Sequence, residues 1–285
     1  MAWTDSTRSA CFGIAAAAII TTGFAGPAAS ASLEELKEQG FARIAIANEP
    51  PWTEVKADGK VTGAAPEVAR AVMQKLGVDE IVASISEYGA MIPGLQAGRF
   101  DMVSAGLFIK PERCAAVIFS EPDLCDFEAF AVQKGNPTGV ATYADLAASD
   151  TIRVGAPGGG TEERLALEAG VPRDRVVVVP DTQSGVKMLA DGRIDVYALP
   201  YVSLADAFGK AGGDVEIVGP VEGTPIFCAG TAFPKGQEAL RDEYNKVLAS
   251  MKEDGSFAAI IEPFGFNAKP AMLVTTEELC NRKAE

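Results

Sequence analysis

YGAMIPGLQAGRFD, residues 88–101, runs directly into the apolar Met102-Val103-Ser104-Ala105. That order predicts a helix stopping where Gly98 can turn left-handed, a tight turn carrying Arg99 and Asp101, and then a strand. The same grammar returns in LADGRID, residues 189–195, ahead of Val196-Tyr197-Ala198-Leu199. Helix, glycine, arginine, aspartate, strand, twice over, points to a layered α/β chain folded as two similarly wound lobes. Working outward, residues 43–47 read as a strand. Residues 65–76 read as a helix, with Val68, Ala71, Val72 and Leu76 at helical spacing and Gly77 closing it.

Between the lobes the chain should cross as extended segments. One candidate is 127–132, followed by Gly135-Asn136-Pro137, and the other is 226–233, followed by Pro234. A helix over 238–251, ending at Gly255, then returns the chain to the first lobe. The expected division is 32–132 with 231–285 for the first lobe and 133–230 for the second. A cleft between two lobes joined by two crossings is a natural place for a small ligand.

Residues 1–31 stand apart. Arg8 precedes an apolar stretch from Cys11 to Gly26, and Ala29-Ser30-Ala31 leads into Ser32. A cationic start, an apolar middle and a small-x-small end is a secretory signal, cleaved here after Ala31. The competing reading, an uncleaved anchor, calls for a longer run less rich in Ala and Gly. The mature protein is expected to be soluble and exported to the periplasm.

Asp5 and Arg8 cancel, so the net charge of −14 belongs entirely to the mature part. Nucleic acid, which requires a basic face, is excluded as a partner. The chain has no histidine. Histidine-based triads and most transition-metal sites go with it, and no metal or cofactor is expected. Cys114, Cys125, Cys228 and Cys280 remain after the signal. An even number in an oxidising compartment permits disulfides, buried free thiols fit equally well, and the spacing selects no pairing.

NEPPW, residues 48–52, follows the first strand and sets Trp52 on a loop three positions after Glu49. The segment from Tyr88 continues through AGLFIKPER (105–113) to FSEP (119–122). Together these motifs, in this order and spacing, resemble the periplasmic solute-binding proteins of polar amino-acid ABC transporters, over about residues 33–264. The resemblance implies a two-lobed clamshell, a small ligand, a membrane permease as partner and a monomeric binding protein. It also implies site residues. A carboxylate and an aromatic follow the first strand, here Glu49 and Trp52, and a second aromatic opens the helix before the GRFD turn, here Tyr88. Arg113 matches the arginine that grips a ligand carboxylate. Gly160 and Thr161 match in part a Gly-Thr-Thr turn of the second lobe. Gly106 and Gly160 are expected to permit close approach of the backbone.

Two departures from the pattern narrow the ligand. Phe108 stands where the family places a threonine, and Pro200 stands where it places the acid that pairs with an α-ammonium. A buried ammonium without partners costs several kcal/mol, on the order of 3–5. Trp52, Tyr88 and Phe108 would instead surround a spread-out cation, at about 0.5–2 kcal/mol per desolvated ring. With Arg113 for a carboxylate and Glu49 for the positive end, the site resembles that of ectoine/hydroxyectoine-binding proteins, whose ligand is a compact zwitterion.

Each of these residues also has a plainer role open to it. Trp52 could plug the edge of a lobe, Tyr88 or Phe108 could be core, and Arg113 could bridge Glu112 or Glu121 on the surface. Thr161 could be a helix N-cap. Three rival functions are a binder of polar amino acids or opine-like derivatives, an exported dehydratase on the same scaffold with Glu49 as its acid or base, and a ligand-sensing domain. The last needs an anchor or a fused signalling domain, and neither is visible.

Overall fold

The computed structural model describes residues 31–211 and 214–282. The expected signal peptide therefore lies outside the described residues, except for Ala31. Among the described residues, no helix is long and apolar enough to cross a membrane.

Two five-stranded sheets repeat one winding. In the first, Glu80–Ile85, Phe41–Ile46 and Met102–Val103 run parallel, and Ala232–Phe233 and Ile118–Phe119 follow as antiparallel neighbours. In the second, Val176–Val179, Val154–Pro157 and Val196–Pro200 run parallel, followed by antiparallel Glu128–Gln133 and Val215–Val218. The repeated GR-x-D turn does the same work in each. Asp101 accepts the Arg43 backbone N–H at 2.7 Å and two N–H groups of its guanidinium at 3.0 and 2.7 Å. Asp195 holds Arg153 likewise, at 2.9 Å from the backbone and 3.0 and 3.1 Å from the guanidinium. Each aspartate thus ties the turn to the start of the neighbouring parallel strand, a charge-assisted contact that sets register. Gly98 and Gly192, at φ 68° and 66°, make the left-handed step that ends the preceding helices Tyr88–Gln96 and Thr182–Ala190.

The expected crossing at 127–132 is corrected by the sheet pairing. Glu128–Gln133 lies inside the second sheet, between Val196–Pro200 and Val215–Val218, so these residues belong with the second lobe. Phe130 and Val132 face one apolar cluster, and Ala129 and Ala131 face another on the opposite side. A strand buried on both faces reads as a continuous apolar run, and that run resembles a crossing. The actual junction lies just before it. Leu124–Asp126 pairs antiparallel with Phe227–Ala229 as a separate ribbon between the sheets. The return helix spans Glu238–Asp254 and ends on left-handed Gly255.

All four cysteines among the described residues are paired. Cys125 bonds Cys228 directly across the connecting ribbon, and Cys114 bonds Cys280 near the C-terminus.

Candidate ligand-binding site

The NEPPW loop is shaped by its own backbone. The Thr53 N–H donates to Glu49 O at 3.0 Å, and the Ala65 N–H at the start of helix Ala64–Lys75 donates to Trp52 O at 3.1 Å. The loop turns Trp52 inward, with only 1 % of its surface exposed. Its ring meets Phe108 edge-on at 5.6 Å and Phe266 edge-on at 4.6 Å. Gly106, at φ +72°, lets the backbone pass beneath that ring, since a Cβ there would lie 2.4 Å from Trp52 Cε3. Phe108 in turn stacks on Phe227 of the connecting ribbon, with centroids 5.3 Å apart and planes at 19°. One face of Phe108 is therefore occupied by protein.

Glu49 is buried between the lobes. Ser203 Oγ, on helix Tyr201–Ala211 of the second lobe, donates to Glu49 Oε1 at 2.6 Å. The Tyr88 hydroxyl lies 3.2 Å from Glu49 Oε2 and 3.1 Å from Ala105 O. Burial, with Glu162 nearby as the next cause, pushes the Glu49 carboxyl up to about 7.

Arg113 sits on the one-turn helix Pro111–Cys114. Its Nη1 donates to Phe108 O at 3.0 Å within the first lobe, and its Nη2 to Gly159 O in the second at 3.3 Å. It pairs with neither Glu112 nor Glu121. Glu112 pairs instead with Arg164 across the lobes at 2.7 Å, and Glu121 accepts the Thr276 backbone N–H. The Arg113, Ser203 and Arg164 contacts all join one lobe to the other, so the cleft is closed.

Every residue expected at the site from the sequence lines a single small cavity, and Pro200 lines it too. Thr161 is the first residue of helix Thr161–Glu168, whose N-cap is Gly160, so Thr161 is not the cap. Its hydroxyl is buried and has no hydrogen-bond partner among the described residues. A Cβ on Gly160 would lie 2.7 Å from Glu162 Oε2 and 2.9 Å from Pro157 O, which is why glycine opens that helix.

The principal residue that sequence reasoning missed is Glu162, buried on the same cavity wall. An acid in a first helical turn ordinarily complements the helix dipole, which hides any other role. Its carboxyl is pushed up by burial, and opposed by its own backbone N–H and then by Lys110 and Arg113. Lys110 is also buried. Its ammonium lies 4.5 Å from the Phe227 ring centre, and burial draws its pKa down to about 7. Among the described residues, no group of histidine, cysteine and acidic side chains could hold a metal ion.

The chain matches the model of the bacterial extracellular solute-binding proteins, family 3, over residues 42–267. It belongs to that family. This family 3 protein is 34 % identical over 265 residues to the probable amino-acid ABC transporter periplasmic-binding protein y4tE of Sinorhizobium fredii, covering 89 % of this chain and 87 % of the relative. It is 28 % identical over 231 residues to the L-cystine-binding protein TcyJ of Escherichia coli, covering 81 % and 84 %. Among solved structures it is similar to EhuB in complex with hydroxyectoine, at 67 % identity and a TM-score of 0.87, covering 88 % of this chain and 98 % of the other.

Proposed function

We propose that this family 3 protein is the extracytoplasmic receptor of an ABC importer, delivering to its membrane permease a compact zwitterion, ectoine or hydroxyectoine. The observation that carries the reading is the composition of one closed cavity. It combines three aromatic rings, a buried carboxylate at Glu49 and a half-buried guanidinium at Arg113. Trp52, Tyr88 and Phe108 offer ring surface to the delocalised cation, Glu49 takes its N–H groups, and Arg113 takes the ligand carboxylate. Gly106 and Gly160 keep the walls close, and Thr161 offers its hydroxyl. The hydroxyectoine complex of the 67 % identical EhuB supports the same ligand class.

Wild-type protein should prefer ectoine over glutamine or arginine by at least about a hundredfold, or roughly 2.7 kcal/mol. Phe108 and Pro200 supply no acceptor for a primary ammonium, which needs several directed bonds. Phe108→Thr should weaken ectoine binding by about 1–3 kcal/mol through lost ring area and cation–π attraction. Calorimetric titrations of ectoine, hydroxyectoine, glycine betaine, proline, glutamine and arginine check both points. A wild-type protein that bound glutamine or arginine more tightly than ectoine would overturn the reading. Glu162 is the observation that favours the second reading, a polar amino-acid binder, because it returns an acid to the second-lobe wall. Against that, its carboxylate already answers to its own backbone and to two neighbouring cations.

Glu49 must be ionised to receive a cation, so a proton competes with the ligand. With its carboxyl held at about 7, affinity should fall about tenfold between pH 8 and pH 6. The same shift acts oppositely on the unliganded fold. The contribution of Glu49 to stability is complete below the ordinary carboxylate value and is lost as pH rises through about 7. Titrations at the two pH values decide the matter, and a flat dissociation constant would remove Glu49 from the cation's partners.

Both lobes contribute to the cavity, so ligand should favour the closed form and shift the population toward it. Solution scattering should show the radius of gyration falling on saturation with ectoine. An unchanged value would argue against the clamshell motion.

A further inference from the structure

The family match ends at residue 267, and the described chain continues to Arg282. The C-terminal segment 265–282, which begins in the last three matched residues, is a strap laid along the first lobe. Ala271 and Leu279 are buried in the first-lobe core. Thr276 Oγ1 donates to Ser120 O at 2.5 Å, Lys252 Nζ donates to Ala271 O at 2.7 Å, and Arg282 Nη1 donates to Ile226 O at 3.3 Å. Two of its contacts fall directly behind ligand-site groups. Phe266 packs edge-on against Trp52 with centroids 4.6 Å apart. Cys280 is bonded to Cys114, the residue next to Arg113.

The second contact matters because of what holds Arg113. Helix Pro111–Cys114 is a single turn with no buried residue. Its backbone bonds run only to near neighbours: the Arg113 and Cys114 N–H groups donate to Lys110 O just before the turn, and Pro111 O and Arg113 O accept from Ala115, Ala116 and Val117 just after it. A short, half-exposed turn of that kind is prone to local opening, and a displacement of about 1 Å is enough to spoil a bidentate arginine–carboxylate contact. The disulfide is the covalent tie from this turn to a segment packed in the core.

We infer that the C-terminal strap positions the binding groups from outside the cleft: Cys280 fixes the turn that carries Arg113, and Phe266 fixes the ring of Trp52. The strap's residues touch no ligand. They determine affinity by limiting the motion of those that do, and the inference rests on Arg113 being the carboxylate receptor.

The test compares ectoine binding and thermal unfolding in the full mature chain across a small set of variants. Cys114→Ala/Cys280→Ala removes the tie without leaving a thiol, and should raise the ectoine dissociation constant at least tenfold. In an Arg113→Ala background the same pair should change it less than twofold further, because the disulfide acts through the arginine. Leu36→Ala, a first-lobe core truncation away from the cleft, should lower the melting temperature and leave the dissociation constant within twofold of wild type. Phe266→Leu keeps the disulfide and should weaken ectoine three- to tenfold, and it carries the test if the cysteine pair fails to fold. Folded variants of the cysteine pair and of Phe266 that both bind within twofold of wild type would overturn the inference, leaving the strap as a stabiliser only. If Arg113→Ala alone leaves binding intact, the site reading falls instead, and the two failures are told apart by that single variant.

Discussion

Arg113→Ala should weaken ectoine binding by about 2–5 kcal/mol, the range for removing one partner of a buried charge pair. The cost has two sources. The ligand carboxylate would be enclosed without its counter-charge, and an uncompensated buried ion is far more expensive than a lost surface contact. The guanidinium also joins the lobes through Gly159 O at 3.3 Å, so its removal weakens closure as well as recognition. Two of its N–H groups are spent on Phe108 O and Gly159 O, leaving the others of its five for the ligand. Arg113→Lys should recover only part of the loss, because an ammonium cannot hold two backbone carbonyls and a carboxylate in one planar fork. Titration calorimetry on the two variants checks this. Binding of Arg113→Ala within a few-fold of wild type would mean that the carboxylate is held elsewhere.

Cys125→Ala/Cys228→Ala should lower the stability of the unliganded protein by about 4–5 kcal/mol, the loop-closure entropy of a chain of about a hundred residues. The bond closes a separation of 103 residues, which is essentially the whole second lobe, and it sits across the ribbon where the chain leaves and re-enters the first. Losing it frees the unfolded ensemble more than it disturbs the native ribbon, whose neighbours remain hydrogen-bonded. Urea unfolding of the oxidised wild type and the variant measures the difference. A loss below about 1 kcal/mol would show that the unfolded chain is already held compact without the bond, and that the entropic account does not apply here.

Much of the fold can be read locally. The turns at Gly98 and Gly192, the helical spacing of Val68 and Val72, and the twin aspartates at 101 and 195 are patterns of near neighbours. Local sterics and capping chemistry make such patterns legible. The candidate site residues follow from the resemblance to a known family, carried by NEPPW, AGLF and the arginine after it among other motifs, and the fold brings all of them to the wall of one cavity. The tertiary structure alone decided the rest. It drew Glu128–Gln133 into the second sheet, because a strand buried on both faces carries no period that separates it from a crossing. It brought Glu162 onto the cavity wall; in sequence, an acid in a first helical turn carries no mark beyond complementing the helix dipole. It chose the cysteine partners, because pairing depends on Cα atoms approaching to 5.7 and 4.0 Å across 166 and 103 residues. It also set Ser203 on Glu49, 154 positions away. Contacts of that reach depend on how two lobes dock, and docking is a sum over the packed chain that no short window of sequence contains.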